Sequence, residues 1–259
     1  MFICRRTVQT TPENKKGAER DMGKRRTAAA LLCALLLTGC AGSGAVEADG
    51  TAQITEEVKY VALTFDDGPR RATTTRLLDG LKERGAAATF FLVGEEIAGN
   101  EDLIRRMAEE GHQVGNHTWS HMRLENALPE TVRQEIQRTD EALDAILGPG
   151  SYWLRPPYGL LPAKAETLIP VPMVKWSVDP RDWESRDTKK VTDSILKAVK
   201  PNSIILLHDI YPTSVDAALQ VVDTLQAQGY WFVTVEELLT INGIKPEKGV
   251  MYRSGDLPA

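Results

Sequence analysis

Between Val58 and about Ile244, short apolar runs alternate with amphipathic segments, and this rhythm narrows most what the chain can fold into. Residues 60–65 are almost continuously apolar, as expected of a strand buried on both faces. Further strands are predicted at 87–93, 112–116, near 152–155, and at 171–178, 203–207 and 231–235. Helices are predicted at 73–84, 101–110, 129–147, 189–200 and 215–228, with a closing turn at 236–239. The segment 129–147 is the clearest helix. Val132, Ile136, Leu143 and Ile146 share one face, Pro129 suits a first turn and Gly148 follows the end. Strands alternating with helices imply an α/β fold with a parallel sheet. Seven or eight such units in about 190 residues point to a barrel related to the (β/α)8 type, though short for it.

The polar residues able to do chemistry sit where these strands stop. Asp66-Asp67-Gly68-Pro69 follow the first strand, and Asn116-His117 follow the third, with Trp119, Ser120 and His121 close behind. Pro156-Pro157-Tyr158-Gly159, Asp179 with Asp182-Trp183, and His208-Asp209 follow later strands. In a parallel barrel every strand C-terminus emerges on one rim, so these groups converge in space. Of four histidines in the chain, His117, His121 and His208 fall at such ends. His112 begins a strand and reads as structural. Each feature alone has a bland explanation: Asp-Asp-Gly-Pro as a solvated turn, the two histidines of HTWSH as surface or core residues, and Trp119 as packing rather than a sugar platform.

Taken in order, Thr64-Phe65-Asp66-Asp67-Gly68-Pro69, His117-Thr118-Trp119-Ser120-His121, Arg155-Pro156-Pro157-Tyr158-Gly159, Asp179-Pro180-Arg181-Asp182-Trp183 and Leu206-Leu207-His208 resemble the five motifs of the polysaccharide deacetylases. That family is carbohydrate esterase family 4, the NodB-homology domain. The resemblance runs from about Val58 to Leu239 and includes Gly229-Tyr230 and Phe232-Val233-Thr234. It implies a distorted (β/α)7 barrel and a metal-dependent hydrolase that removes N- or O-acetyl groups from polysaccharides.

By the same resemblance, Asp67, His117 and His121 are the metal ligands. Two imidazoles and a carboxylate suit zinc first, and cobalt or another first-row ion also. Asp66 fits the general base, since neighbouring side chains at a strand end are expected to point apart. Arg155 matches the arginine that keeps this base ionised. His208 matches the general acid, suited to a group titrating near neutrality. Asp182 is the first choice to orient His208, with Asp179 the alternative for that role or for bracing Arg155. The backbone N–H of Tyr158 is expected to help bind the oxyanion, and Trp183 and Leu206 to wall a pocket for the acetyl methyl.

The N-terminus adds a location. Lys24, Arg25 and Arg26 precede an apolar stretch at 28–37, and Thr38-Gly39-Cys40 ends it. This layout reads as a secretory signal over residues 1–39, with Met22 as the suspected initiator, ending in a lipobox whose Cys40 is lipidated. The run is too short to span a membrane. Cys4, Cys33 and Cys40 are the only cysteines, so the processed chain has no possible internal disulfide. Residues 40–57 read as a flexible tether, 58–244 as the catalytic domain and 245–259 as a peripheral polar tail.

The expected product is a monomer held by its lipid anchor on the outer face of the cell membrane. Its natural polymer there is cell-wall peptidoglycan, with N-acetylglucosamine ahead of N-acetylmuramic acid, chitooligosaccharide or acetylxylan. Eight basic and three acidic residues precede residue 27, so from Cys40 onward 23 basic side chains face 33 acidic ones, a net of −10. That balance excludes sequence-independent nucleic-acid binding. Two rival classes are a non-catalytic glycan-binding lipoprotein and an iron oxygenase using the same triad. The first predicts loss of Asp66, Arg155 or His208, all of which are present, and the second would leave those three residues without tasks.

Overall fold

β1 (Lys59–Asp66) is buried along six consecutive residues and organises the domain. The computed structural model describes residues 58–162 and 169–256. Residues 1–39, expected to be an export signal, and residues 40–57, expected to be a tether beginning at Cys40, lie outside the described residues. β1 pairs in parallel with β2 (Thr89–Leu92), with β5 (Ile204–His208) and, at its first residues, with β6 (Tyr230–Phe232). β2 pairs with β3 (Gln113–Asn116). From there the ring continues through single bridges from Asn116 to Leu154 and from Leu154 to Met173, and Val178 bridges Ile205 of β5. The parallel ring closes on itself, forming the distorted barrel.

The two-residue side-chain period of the strands sorts their side chains. On β1, Val61, Leu63 and Phe65 join the core packed under the helices, whereas Ala62 packs with the barrel interior beside Phe91, Trp153 and Ile204. Thr64 and Asp66 continue that inward row. On β5, Ile205 and Leu207 likewise face the helices, and Ile204, Leu206 and His208 take the other face. The covering helices are α1 (Arg71–Glu83), α2 (Glu101–Glu109), α3 (Pro129–Leu147), α5 (Thr188–Ala198) and α6 (Pro212–Ala227). A four-residue helix, α4 (Asp182–Ser185), sits in the loop before α5.

Four expectations need correction. The strand expected near 152–155 is reduced to a bridge at Leu154, hemmed in by Gly150 and by Pro156-Pro157. The strand expected at 171–178 forms only at Met173–Val174 (β4): Pro172 has no N–H for a ladder at its start, and beyond Val174 only Val178 makes a bridge, to Ile205. The closing turn is a helix, α7 (Val235–Ile241), started by a capping box between Thr234 and Glu237. The tail is not peripheral: Met251–Tyr252 (β7) pairs with β4, Tyr252 is buried, and Ser254 bridges Ser203.

Candidate active site

The register places the chemistry. Asp66 is the residue of β1 aligned with His208 on β5, and Leu92 aligns with Asn116, whose successor His117 donates its N–H to the Leu92 carbonyl at 2.9 Å. Asp66, Asp67, His117, His121 and His208 therefore share one cleft of about 360 Å³, walled by Tyr158, Trp176, Trp183, Leu206 and Tyr211, with Asp179 at its edge.

Asp66 is 3% exposed and takes a 2.7 Å charge-assisted hydrogen bond from Nη1 of Arg155. Arg155 is wholly buried. Its remaining bonds reach the Thr64 hydroxyl at 2.8 Å and the Lys175 carbonyl at 2.9 Å, and its guanidinium lies over the Phe91 ring at 4.2 Å. The carboxylate is thereby paired with a buried cation and held in one rotamer.

The expectation that Asp66 and Asp67 point apart does not hold. Asp67 has φ 70, a left-handed conformation that breaks the strand alternation. Nε2 of His117 consequently lies 3.6 Å from Asp66 Oδ2 and 3.5 Å from Asp67 Oδ1. What separates the two carboxylates is their partners, since only Asp66 is tied to Arg155.

Asp67, His117 and His121 each offer one donor atom, all within 4.8 Å of one another. Nε2 of His121 is 3.3 Å from Asp67 Oδ1, and that oxygen is buried with no hydrogen-bond partner among the described residues. Nδ1 of His117 bonds the Arg155 carbonyl at 2.6 Å, which leaves Nε2 for the cluster. A divalent cation fits this donor set. Burial would raise Asp67, but contact with His117 and the charges of His208 and His121 outweigh it and hold the carboxyl at about 2. Burial would lower His117, but Asp66 and Asp67 raise it, whereas burial and the His117 charge lower His121.

His208 is set differently. Its Nδ1 bonds Asp182 Oδ1 at 2.8 Å, leaving Nε2 as the nitrogen available to the cleft. Asp182 is fully buried, and its other oxygen accepts the His208 N–H at 2.8 Å and the Ser214 hydroxyl at 2.6 Å. Burial opposes the charged imidazole, yet the bond to Asp182 and its charge push His208 up to about 9. Asp179 instead accepts the N–H of Arg181 at 2.9 Å, so the geometry gives the imidazole to Asp182.

Several contributors escaped sequence reasoning. Thr64 stands in the first motif but was given no task there, and Ser214 is a small hydroxyl with no local motif. Trp176 and Tyr211 lie at strand ends, where their position was the available signal. Glu135 on α3 accepts bonds from the Ser120 N–H at 2.8 Å and from its hydroxyl at 3.1 Å, anchoring the loop between the two imidazoles. His112 is structural, its Nδ1 accepting the Ala88 N–H at 3.1 Å while burial pushes it down to about 4.

Residues 53–169 match the family model described as polysaccharide deacetylase. The chain is 39% identical over 180 residues to the peptidoglycan-N-acetylmuramic acid deacetylase PdaC of Bacillus subtilis, covering 70% of this chain and 38% of that protein. It is also 39% identical over 194 residues to the peptidoglycan-N-acetylglucosamine deacetylase PgdA of Listeria monocytogenes, covering 75% and 41%. The chain thus spans about two fifths of the length of these two relatives. A family 4 acetyl xylan esterase from Clostridium thermocellum, solved with a cobalt ion, superposes with a TM-score of 0.73 at 33% identity, covering 77% of this chain and all of that one. The chain belongs to the polysaccharide deacetylase family.

In the metal-free protein, the His208–Asp182 pair makes stability depend on pH. The folded imidazole titrates at about 9 against an ordinary 6.5, so its contribution is fully present below pH 6.5 and is lost as pH rises through 9. Melting temperatures measured with chelator should show the unaltered protein's advantage over Asp182→Asn largest below pH 6.5 and shrinking toward pH 9. An advantage that is flat or grows across that window contradicts the assignment.

Proposed function

We propose that this chain is a metal-dependent deacetylase of cell-wall peptidoglycan, acting on N-acetylglucosamine ahead of N-acetylmuramic acid, with chitooligosaccharide and acetylxylan as lesser candidates. The observation that carries the reading is a carboxylate paired with Arg155 and an imidazole paired with Asp182, both in the cleft of the Asp67, His117 and His121 donors. The peptidoglycan-directed names of the two curated relatives support the polymer.

Asp67, His117 and His121 would hold a divalent cation, zinc first and cobalt next, which when bound would supply Lewis-acid chemistry for the acetyl carbonyl and the attacking water. The protein's groups do the rest. Asp66 accepts the proton of the attacking water, and its tie to Arg155 prevents it from swinging away. Nε2 of His208 hands a proton to the departing nitrogen while Nδ1 stays on Asp182. The Tyr158 N–H, in a residue held at φ 58, contributes to the oxyanion site. Trp183 and Leu206 close around the acetyl methyl. Competition between proton and metal for His117 makes metal binding weaken as pH falls.

Acetate release from purified muropeptides, chitooligosaccharides and acetylxylan, with and without chelator, tests this reading. Muropeptides should be cleaved fastest, and chelator should abolish cleavage. Asp66→Asn should lower turnover at least about 10³-fold while retaining bound zinc. Cleavage of acetylxylan alone, or full activity in Asp66→Asn, would overturn the proposal.

The lipobox at Cys40 supports an exported enzyme anchored in the membrane by acyl chains. Cys40→Ser should move the protein from the membrane fraction to the soluble one. Retention of that variant in the membrane would reject the anchor.

A further inference from the structure

Asp209 follows His208 and has no part in the chemistry above, yet it is fully buried. Its Oδ2 accepts a hydrogen bond from the Thr74 hydroxyl in the first turns of α1. Its Oδ1 has no hydrogen-bond partner among the described residues. The Thr74 oxygen in turn accepts the Arg70 N–H at 2.8 Å. Between these anchors the carboxyl presses on Gly68 so closely that no side chain fits there: a Cβ on Gly68 would overlap the carboxyl carbon and both oxygens. The other side of the turn is fixed by the Val93 N–H, which donates to the Gly68 carbonyl at 3.0 Å. Desolvating a carboxyl with one oxygen unpaired is unfavourable, and an apolar side chain would fill a purely structural position at lower cost. The residue held by this contact pattern is the one before Gly68, namely Asp67, whose left-handed backbone turns its carboxylate toward His117 and His121.

We propose that Asp209 is a positioning residue for the metal ligand Asp67: with Thr74 it clamps the Gly68 turn and so sets the direction of the Asp67 carboxylate. The inference rests on Asp67, His117 and His121 being the metal site. Shape and the hydrogen bond from Thr74 do the work, so an isosteric amide substitutes for the acid and a methyl group does not. Groups behind a metal ligand commonly change metal affinity by 10-fold or more when removed.

Zinc dissociation constants measured by competition with a chromogenic chelator, together with melting temperatures of the metal-free proteins, test the clamp. Asp209→Ala should bind zinc at least about 10-fold more weakly, while the metal-free variant melts no lower than the unaltered protein. Asp209→Asn should restore affinity to within about 3-fold of the unaltered protein, well inside the loss expected on removal. Asp209→Ala binding as tightly as the unaltered protein overturns the clamp, and so does Asp209→Asn binding as weakly as Asp209→Ala. Should Asp209→Ala fail to fold, Thr74→Val decides the matter: weaker zinc binding supports the clamp and equal binding overturns it. Absence of zinc binding by the unaltered protein overturns the metal site itself, and the clamp with it.

Discussion

A guanidinium with no exposure to solvent lies inside this barrel, and the site depends on it. Isolated in a low-dielectric interior, the Arg155 charge would be strongly unfavourable, and so would the Asp66 charge beside it. Together, at 2.7 Å, each makes the other tolerable, and removing either leaves an uncompensated buried ion. The same residue joins the rest of the site through its backbone. Its N–H donates to the Asn116 carbonyl at 2.9 Å and its carbonyl bonds Nδ1 of His117, so the Asp66 carboxylate, its counterion and the His117 imidazole are tied together through one residue. Arg155 lies beside the barrel's most reduced strand, a single bridge at Leu154, and its side-chain bonds hold it where ladder bonds are few.

The strands supply rigidity, and the loops above them supply strain. Among the described residues, seven non-glycine positions have positive φ, and Asp67, Thr118, His121, Tyr158, Arg181 and Arg186 all belong to loops at the cleft, with Asn202 the exception. Such conformations persist only where surroundings over-determine them. Here α3 does much of that work, through Glu135 on Ser120 and through Asn116, whose amide donates to Asp140 at 2.8 Å and to the Ile136 carbonyl at 2.9 Å. The outward half of the strand alternation thus grips the helix layer while the inward half presents chemistry.

Alternation and strand ends were the readable signals. They located β1, β3 and β5, put Asp66 and His208 at the same level of one rim, and bounded α3 at Pro129 and Leu147. The signals faded where local chemistry overrode period. Pro172 and Pro156-Pro157 shortened two strands, and a left-handed Asp67 turned a side chain that alternation would send outward. Thr234-Val235-Glu236-Glu237 carries a helix start, a capping box that marks α7 where a closing turn was expected. Partners such as Ser214 under Asp182, or Tyr252 against β4, are contacts between residues far apart in sequence and leave no local mark. The choice between Asp179 and Asp182 belonged to the same class, decided by the turn of α4 rather than by residue type.

The central claim is that one cation sits among three named side chains. Anomalous scattering at the zinc edge, recorded from crystals of the protein grown with zinc, tests it most directly. The account predicts a single strong peak shared by Asp67 Oδ1, Nε2 of His117 and Nε2 of His121. A well-ordered cleft with no peak at that point, whether or not zinc binds elsewhere, would contradict it.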